Sequence, residues 1–408
     1  MVSVAPMTLE TLQLKRTPFH ERTSRLCTPQ NWRRWAGHIV AGSYELSLDR
    51  EYWAIRDSAA LIDVSPLMKY VIEGPDAARL LHRVTTRDIF KLQIGQVYYT
   101  GWCDDEGKLL DDGTVARLDD QRFRMTSAEP SLRWLKMNAV GMSVTITEVT
   151  DQMAALSLQG PKSRAILNRV CKDPLDKLKY FRLTNTSIGN VSVSVSRTGY
   201  TGDLGYEIWM DAEQALPVWD ALMQAGDDYG IAPCGILAMD MARVEAGLFM
   251  LDVDYTSATH AWIGGQKSTP FEMGLDWAVN LDKKGYFVGR RALEKEKREG
   301  PAWKLVGLEI DWVGLERLFA DVGMPPQIPG MAMRGSLPVM HNGKQVGYAS
   351  TSTWSPVLKK YIALVHVQRP YCEPGTALTM EVTVEHHRRQ APATVVKLPF
   401  YEPEWKKK

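Results

Sequence analysis

GPDAARLLHRV (Gly74–Val84) and GPKSRAILNRV (Gly160–Val170) are two versions of one motif, sharing Gly, Pro, Leu81/Leu167, Arg83/Arg169 and Val84/Val170. Each follows a strand-like run, KYVIE (Lys69–Glu73) and MAALSL (Met153–Leu158). Pro suits the first turn of a helix, where its missing N–H costs nothing, and Leu80, Leu81 and Val84 recur at helical spacing. The pattern strand, Gly-Pro, helix therefore occurs twice and predicts two related α+β lobes facing each other. Between the copies the chain is β-rich. Val97–Cys103 and Leu109–Leu118 flank the turn-like Asp104-Asp105-Glu106-Gly107, and Arg122–Thr126 follows. Helical patterns return at Glu213–Ala225, Ile236–Gly247 and Arg290–Glu299, the last stopped by Gly300-Pro301. From Lys304 onward the runs are short and strand-like, with no helix expected among them. This tail predicts a small antiparallel barrel or sandwich. The expected division is 1–150 and 151–300 for the two lobes and 301–408 for the β domain.

The charges nearly cancel, 49 Lys+Arg against 48 Asp+Glu, which argues against a phosphate-driven nucleic-acid binder. Hydrophobic residues make up 45%, enough to bury a sizeable core. Five scattered cysteines without a C-x-x-C pair argue against a disulfide framework and a structural zinc site, so no metal is expected. The first 25 residues hold no apolar run of the signal-peptide kind, and no stretch reaches the roughly 20 apolar residues that span a bilayer. A cytoplasmic protein without membrane contact is expected.

Several common chemistries are missing. Gly264-Gly265-Gln266-Lys267-Ser268 has Gln where a phosphate-binding loop needs its second Gly, and no H-E-x-x-H or G-x-S-x-G occurs. The glycine-rich Gly199–Gly205 runs into the strand-like Tyr206–Trp209, whereas a dinucleotide loop opens a helix. Two segments carry chemistry instead. In Leu109-Leu110-Asp111-Asp112, strand alternation puts one of the adjacent carboxylates on each face, so one points inward. In Arg197–Gly202 followed by Glu207, a glycine-rich turn leads to a carboxylate that can accept hydrogen bonds from a heterocycle.

With their neighbours these segments resemble the aminomethyltransferase (T-protein) family of the glycine cleavage system and its tetrahydrofolate-dependent relatives. The likeness runs from about Thr17 to Tyr401. It rests on Thr17-Pro18-Phe19, Ile62-Asp63-Val64-Ser65, Gln159-Gly160-Pro161, Arg197–Gly202 with Gly205-Tyr206-Glu207, Arg243–Gly247, Pro270–Leu275, Phe287–Arg290 and Lys397–Tyr401. The resemblance implies three domains around a central folate cavity, with tetrahydrofolate as acceptor. It implies that Asp112 is the catalytic carboxylate near N5, that Glu207 binds the pterin, and that Tyr99 and Tyr200 contact the folate. A carboxylate can take two N–H donors from the aminopyrimidine edge, and one beside N5 stabilises positive charge developing there.

The chain also departs from the family. It has Ser65-Pro66-Leu67 for Ser-His-Met and Leu237-Ala238-Met239-Asp240 for Gly-Ala-Arg-Asp. Leu248 replaces a tyrosine, and an insertion occupies 252–269. These departures suggest a re-lined donor pocket and lead to the expectation of a tetrahydrofolate-dependent demethylase. Such an enzyme moves methyl from a small O-, S- or N-methylated compound, for example a methoxylated aromatic acid. The insertion would then supply Tyr255 as the acid with His260 as its partner, while Arg243 and Lys267 hold a substrate carboxylate. The alternatives are a glycine-cleavage aminomethyltransferase, which needs a lipoylated carrier protein, and a folate-binding protein without catalysis.

Overall fold

A computed structural model describes residues 14–407, so the leading segment considered above falls partly outside it. The first lobe is a five-stranded antiparallel sheet in the order Val97–Cys103, Leu109–Arg117, Arg122–Ser127, Met68–Glu73, Thr145–Glu148. One face is apolar: Tyr70, Ile72, Phe123 and Met125 pack with Leu80, Leu81 and Val84 of the helix Ala77–Val84. The second sheet has six strands, ordered Leu183–Ile188, Val191–Ser196, Gly205–Asp211, Met153–Gln159, Ala59–Asp63, Ile231–Pro233. Only its last pair is parallel.

The two Gly-Pro motifs do the same job in each sheet. Gly74 and Gly160 both have φ +125°, a conformation that side chains disfavour. A Cβ would lie 2.8 Å from Ser143 O at the first and 2.6 Å from Ser58 O at the second. The helices Ala77–Val84 and Ser163–Val170 start just after each Pro, which sits in the turn rather than in the first helical turn. That turn closes through Ala77 N–H to Gly74 O and Ser163 N–H to Gly160 O, both 3.0 Å.

The tail forms a closed antiparallel barrel of six strands, in the order Trp303–Ile310, Lys360–Gln368, Lys344–Ser355, Met333–His341, Ala377–Val384, His387–Val396. It also contains a helix that the sequence reading missed, Trp312–Ala320. Asp311 caps this helix by accepting from Gly314 N at 2.9 Å, and Leu315 and Phe319 are buried in the barrel core. Gly314 in its first turn hides it from propensity.

Two buried ionic clusters join the barrel to the lobes. Arg56 pairs with Glu245 at 2.6 Å, and Glu245 also accepts from Tyr52 and from Ser355 of the barrel, each at 2.6 Å. Arg243 bridges Asp240 and Asp254, and donates to Thr351 of the barrel at 3.0 Å.

Candidate functional site

The polar faces of the two sheets look at each other. In the first sheet, register puts Tyr99 opposite Thr114, Gly101 opposite Asp112 and Ala116 opposite Arg124, so Tyr99, Asp112, Thr114 and Arg124 share one face. In the second, Glu207 lies opposite Ser157 and Ser196, with Trp209 two residues on along the same face. The guanidinium of Arg124 lies 4.0 Å from the ring centroid of Trp209, which brings the two faces together.

Alternation separates the two adjacent aspartates. Asp111 turns away from the cavity face, and its Oδ2 accepts the N–H groups of Ala128 and Glu129 at 3.1 and 2.9 Å. Asp112 turns toward it and accepts two phenols, Tyr99 Oη to Oδ2 at 2.7 Å and Tyr255 Oη to Oδ1 at 2.5 Å. Burial raises the pKa of both carboxyls. For Asp111 the neighbouring charge adds to the rise, whereas for Asp112 the two phenol hydrogen bonds offset part of it. Of the two, Asp111 is raised the further.

Glu207 accepts from Thr198 Oγ1 through Oε2 at 2.6 Å, while its Oε1 has no hydrogen bond among the described residues. Burial raises its pKa, and Thr198 and the Arg124 charge pull it back. Tyr200 spends its hydroxyl on Phe249 O, but it sits close enough to Asp112 to feel that charge. A half-satisfied carboxylate beside a buried guanidinium makes a cradle suited to a heterocycle bearing both donors and acceptors.

The remaining expected residues are placed differently. Tyr255 is 4% exposed and its proton is committed to Asp112. Burial first, and the charge of Asp112 next, hold its pKa well above the phenol range, so it is a fixed donor and not an acid for a leaving group. His260 is exposed and pairs with Asp252 at 3.5 Å, on the surface of the insertion. Arg243 is fully buried and has every nitrogen engaged by Asp240, Asp254, Leu248 O and Thr351, leaving none for a substrate carboxylate. Lys267 pairs with Glu106 at 3.3 Å and Asp104 at 3.7 Å. Sequence reasoning missed Arg124, Trp209 and Thr198. In the run Arg122-Phe123-Arg124-Met125 the arginines alternate with core residues and read as a solvent face; the clue was that this face also carries Asp112.

A 340 Å³ cleft opens between the insertion and the barrel, lined by Tyr255, Thr256, Gln266, Ser336, Gln345 and Tyr348 among others. It reaches Tyr255 and so the side of Asp112. Among the described residues no helix is long and apolar enough to cross a membrane.

Comparison with known proteins identifies the architecture. Residues 21–283 match the GCVT N-terminal domain, and residues 322–402 match the glycine cleavage T-protein C-terminal barrel domain. An aminomethyltransferase of Halothermothrix orenii is 35% identical over 358 residues, covering 87% of this chain and 91% of that one. A trimethylamine-oxide aldolase of Ruegeria pomeroyi is 35% identical over 404 residues, covering 96% of this chain and 47% of that longer protein. The crystal structure of glycine cleavage system aminomethyltransferase T from Bartonella henselae shares the fold, with TM-score 0.80 at 24% identity over 95% of this chain and 98% of that one.

These relatives overturn the expectation of a demethylase. Proteins at 32–35% identity over most of the chain bear the name aminomethyltransferase, so the departures at Pro66, Met239 and Leu248 do not by themselves mark a change of donor. The geometry agrees, since the residues meant to protonate a leaving group and hold a substrate carboxylate already have other partners. Aminomethyltransferases of this family use tetrahydrofolate as the acceptor of the one-carbon unit. Matched over well over half its length by the one domain and through its barrel by the other, the chain belongs to the glycine cleavage T-protein family and is a folate-dependent one-carbon transferase.

Proposed function

We propose that the chain is an aminomethyltransferase that takes an aminomethyl group from the lipoyl arm of a carrier protein and passes its carbon to tetrahydrofolate. The observation that carries this reading is the placement of Asp112, held by two phenols on a face opposite Glu207. Tetrahydrofolate, when bound, supplies the amine nitrogens that accept the carbon while ammonia is released. The protein's own groups orient and stabilise. Oε1 of Glu207 is free to accept a ring N–H, and the Thr198 hydroxyl fixes the carboxylate. The donors Tyr99 and Tyr255 favour the ionised form of Asp112 and keep it from swinging away, so that its charge would face the nitrogen where positive charge develops. The cleft between insertion and barrel supports delivery of a donor on a flexible arm, since it is open to solvent and ends at Tyr255.

The test supplies tetrahydrofolate and a lipoylated carrier charged with aminomethyl, and measures ammonia and methylene-tetrahydrofolate. Both should appear together. Asp112→Asn should lower kcat by about 10²–10³-fold, the scale of losing one pre-organised electrostatic group, with tetrahydrofolate affinity kept. Tetrahydrofolate binding without methylene product would mean a binding protein and would sink the proposal.

A further inference from the structure

We infer that Arg124 reads the carbonyl at position 4 of the pterin, and so sets the acceptor site's preference for a 4-oxo ring; this rests on the folate reading above.

Arg124 is 4% exposed and burial lowers its pKa to about 10, yet among the described residues its guanidinium makes no hydrogen bond and no ion pair. The guanidinium stacks on the Trp209 ring. None of its nitrogens is among the buried atoms left without a partner, so, unpaired, they border accessible space rather than packed protein, and stacking on one indole offsets the desolvation of the charge only in part. Glu207 is near enough for the two charges to act on each other, but no nitrogen–oxygen contact closes the pair. Two opposite charges held apart in a buried cavity leave a gap with donors on one side and an acceptor, Glu207 Oε1, on the other.

A reduced pterin fits that gap by its own chemistry. Around one edge of the ring run N5, the C4 carbonyl, N3–H and the 2-amino group, in that order. The cavity faces carry a group for each: Asp112 for N5, Arg124 as a donor for the carbonyl, Glu207 as an acceptor for the two N–H groups. Arg124 shares its face with Asp112 and reaches across to the strand of Glu207, as the middle member of that sequence must. A 4-amino ring differs at two atoms, since its N3 carries no hydrogen: Glu207 registers the lost N–H, and Arg124, with five donors and no acceptor, registers the amine in place of the carbonyl.

The experiment compares two ligands on the full chain by equilibrium binding: tetrahydrofolate, and its analogue with a 4-amino group in place of the oxo group. Wild type should prefer tetrahydrofolate. Arg124→Leu should weaken tetrahydrofolate roughly 10- to 100-fold, the scale of a charge-assisted hydrogen bond, while the analogue binds as well as before or better. Should that variant fail to fold, Arg124→Gln decides instead: its amide can donate or accept, so the preference should shrink to the part that Glu207 sets. Equal losses for both ligands would make Arg124 a structural residue and overturn the inference. Unchanged tetrahydrofolate binding with a raised KM for the one-carbon donor would overturn it too, and would assign Arg124 to the donor. If wild type binds no tetrahydrofolate, the folate reading itself falls, an outcome separate from either.

Discussion

Asp112 receives protons from both sides without owning one. Its two phenol donors pull its pKa down against burial, so removing one must push the pKa up. The proposed reaction uses the ionised form, so its rate should fall as pH drops through that pKa. Tyr255→Phe should shift the acidic limb of the kcat/KM profile to higher pH; a limb that stays put would mean that Tyr255 does not tune Asp112. Asp112 and Glu207 were legible as residue types, because a doubled aspartate in a strand must split between faces and a glycine-rich turn delivers the glutamate. Tyr255 was legible only as a polar residue in an insertion. Its role as a donor to Asp112 depends on a contact 143 residues away in the chain, which no local pattern encodes. Arg243 misled for the converse reason: its partner Asp254 lies in the same insertion, so the charge that looked available was already used.

Strand Leu109–Arg117 carries Asp112, and at Gly113 next to it the strand packs tightly against its neighbour. A Cβ there would sit 2.0 Å from Thr126 O, so Gly113→Ala must part the two strands beside Asp112. A loss of about 1–3 kcal/mol in stability is expected from such overpacking, together with reduced activity, measured by chemical denaturation and turnover. The insertion 252–269 is fastened at its base, not its tip. Asp254 accepts from Ser350 at 2.5 Å and Thr351 at 2.7 Å, pairs with Arg243, and its carbonyl meets His366 at 2.5 Å. Asp254→Ala should cost about 3–5 kcal/mol by leaving Arg243 buried with one carboxylate fewer, seen as a lowered denaturation midpoint. The repeat made both Gly-Pro turns visible, since steric rules act within a few residues. Helix Trp312–Ala320 escaped because barrel packing, not propensity, holds it.

Across the whole molecule, two buried lysines set how stability answers to pH. Burial takes the Lys69 and Lys283 amines down to about 7, although each donates to backbone carbonyls such as Ser65 O and Thr85 O at 2.6 Å. Their folded pKa lies below the unfolded one, so between about pH 7 and 8 these two sites make the unfolded chain bind more protons and stability should rise with pH; higher up, the buried Cys27, Cys103, Cys171 and Cys234 thiols, which burial pushes up, work the other way. Denaturation at pH 7, 7.5 and 8 should show a rise of up to about 1.4 kcal/mol per pH unit for each lysine, with Lys69→Met flattening part of it. A flat wild-type curve would show that the carbonyls keep both amines charged. One last feature governs how the chain can be divided. Strand Ala59–Asp63 pairs with Met153–Gln159 and with Ile231–Pro233, while Met68–Glu73, only a few residues on, opens the other sheet. A cut near residue 150 therefore keeps the first sheet whole but parts strand Ala59–Asp63 from the second sheet, where it is an inner strand. The two pieces expressed together should reassemble into an active protein, and neither should do so alone.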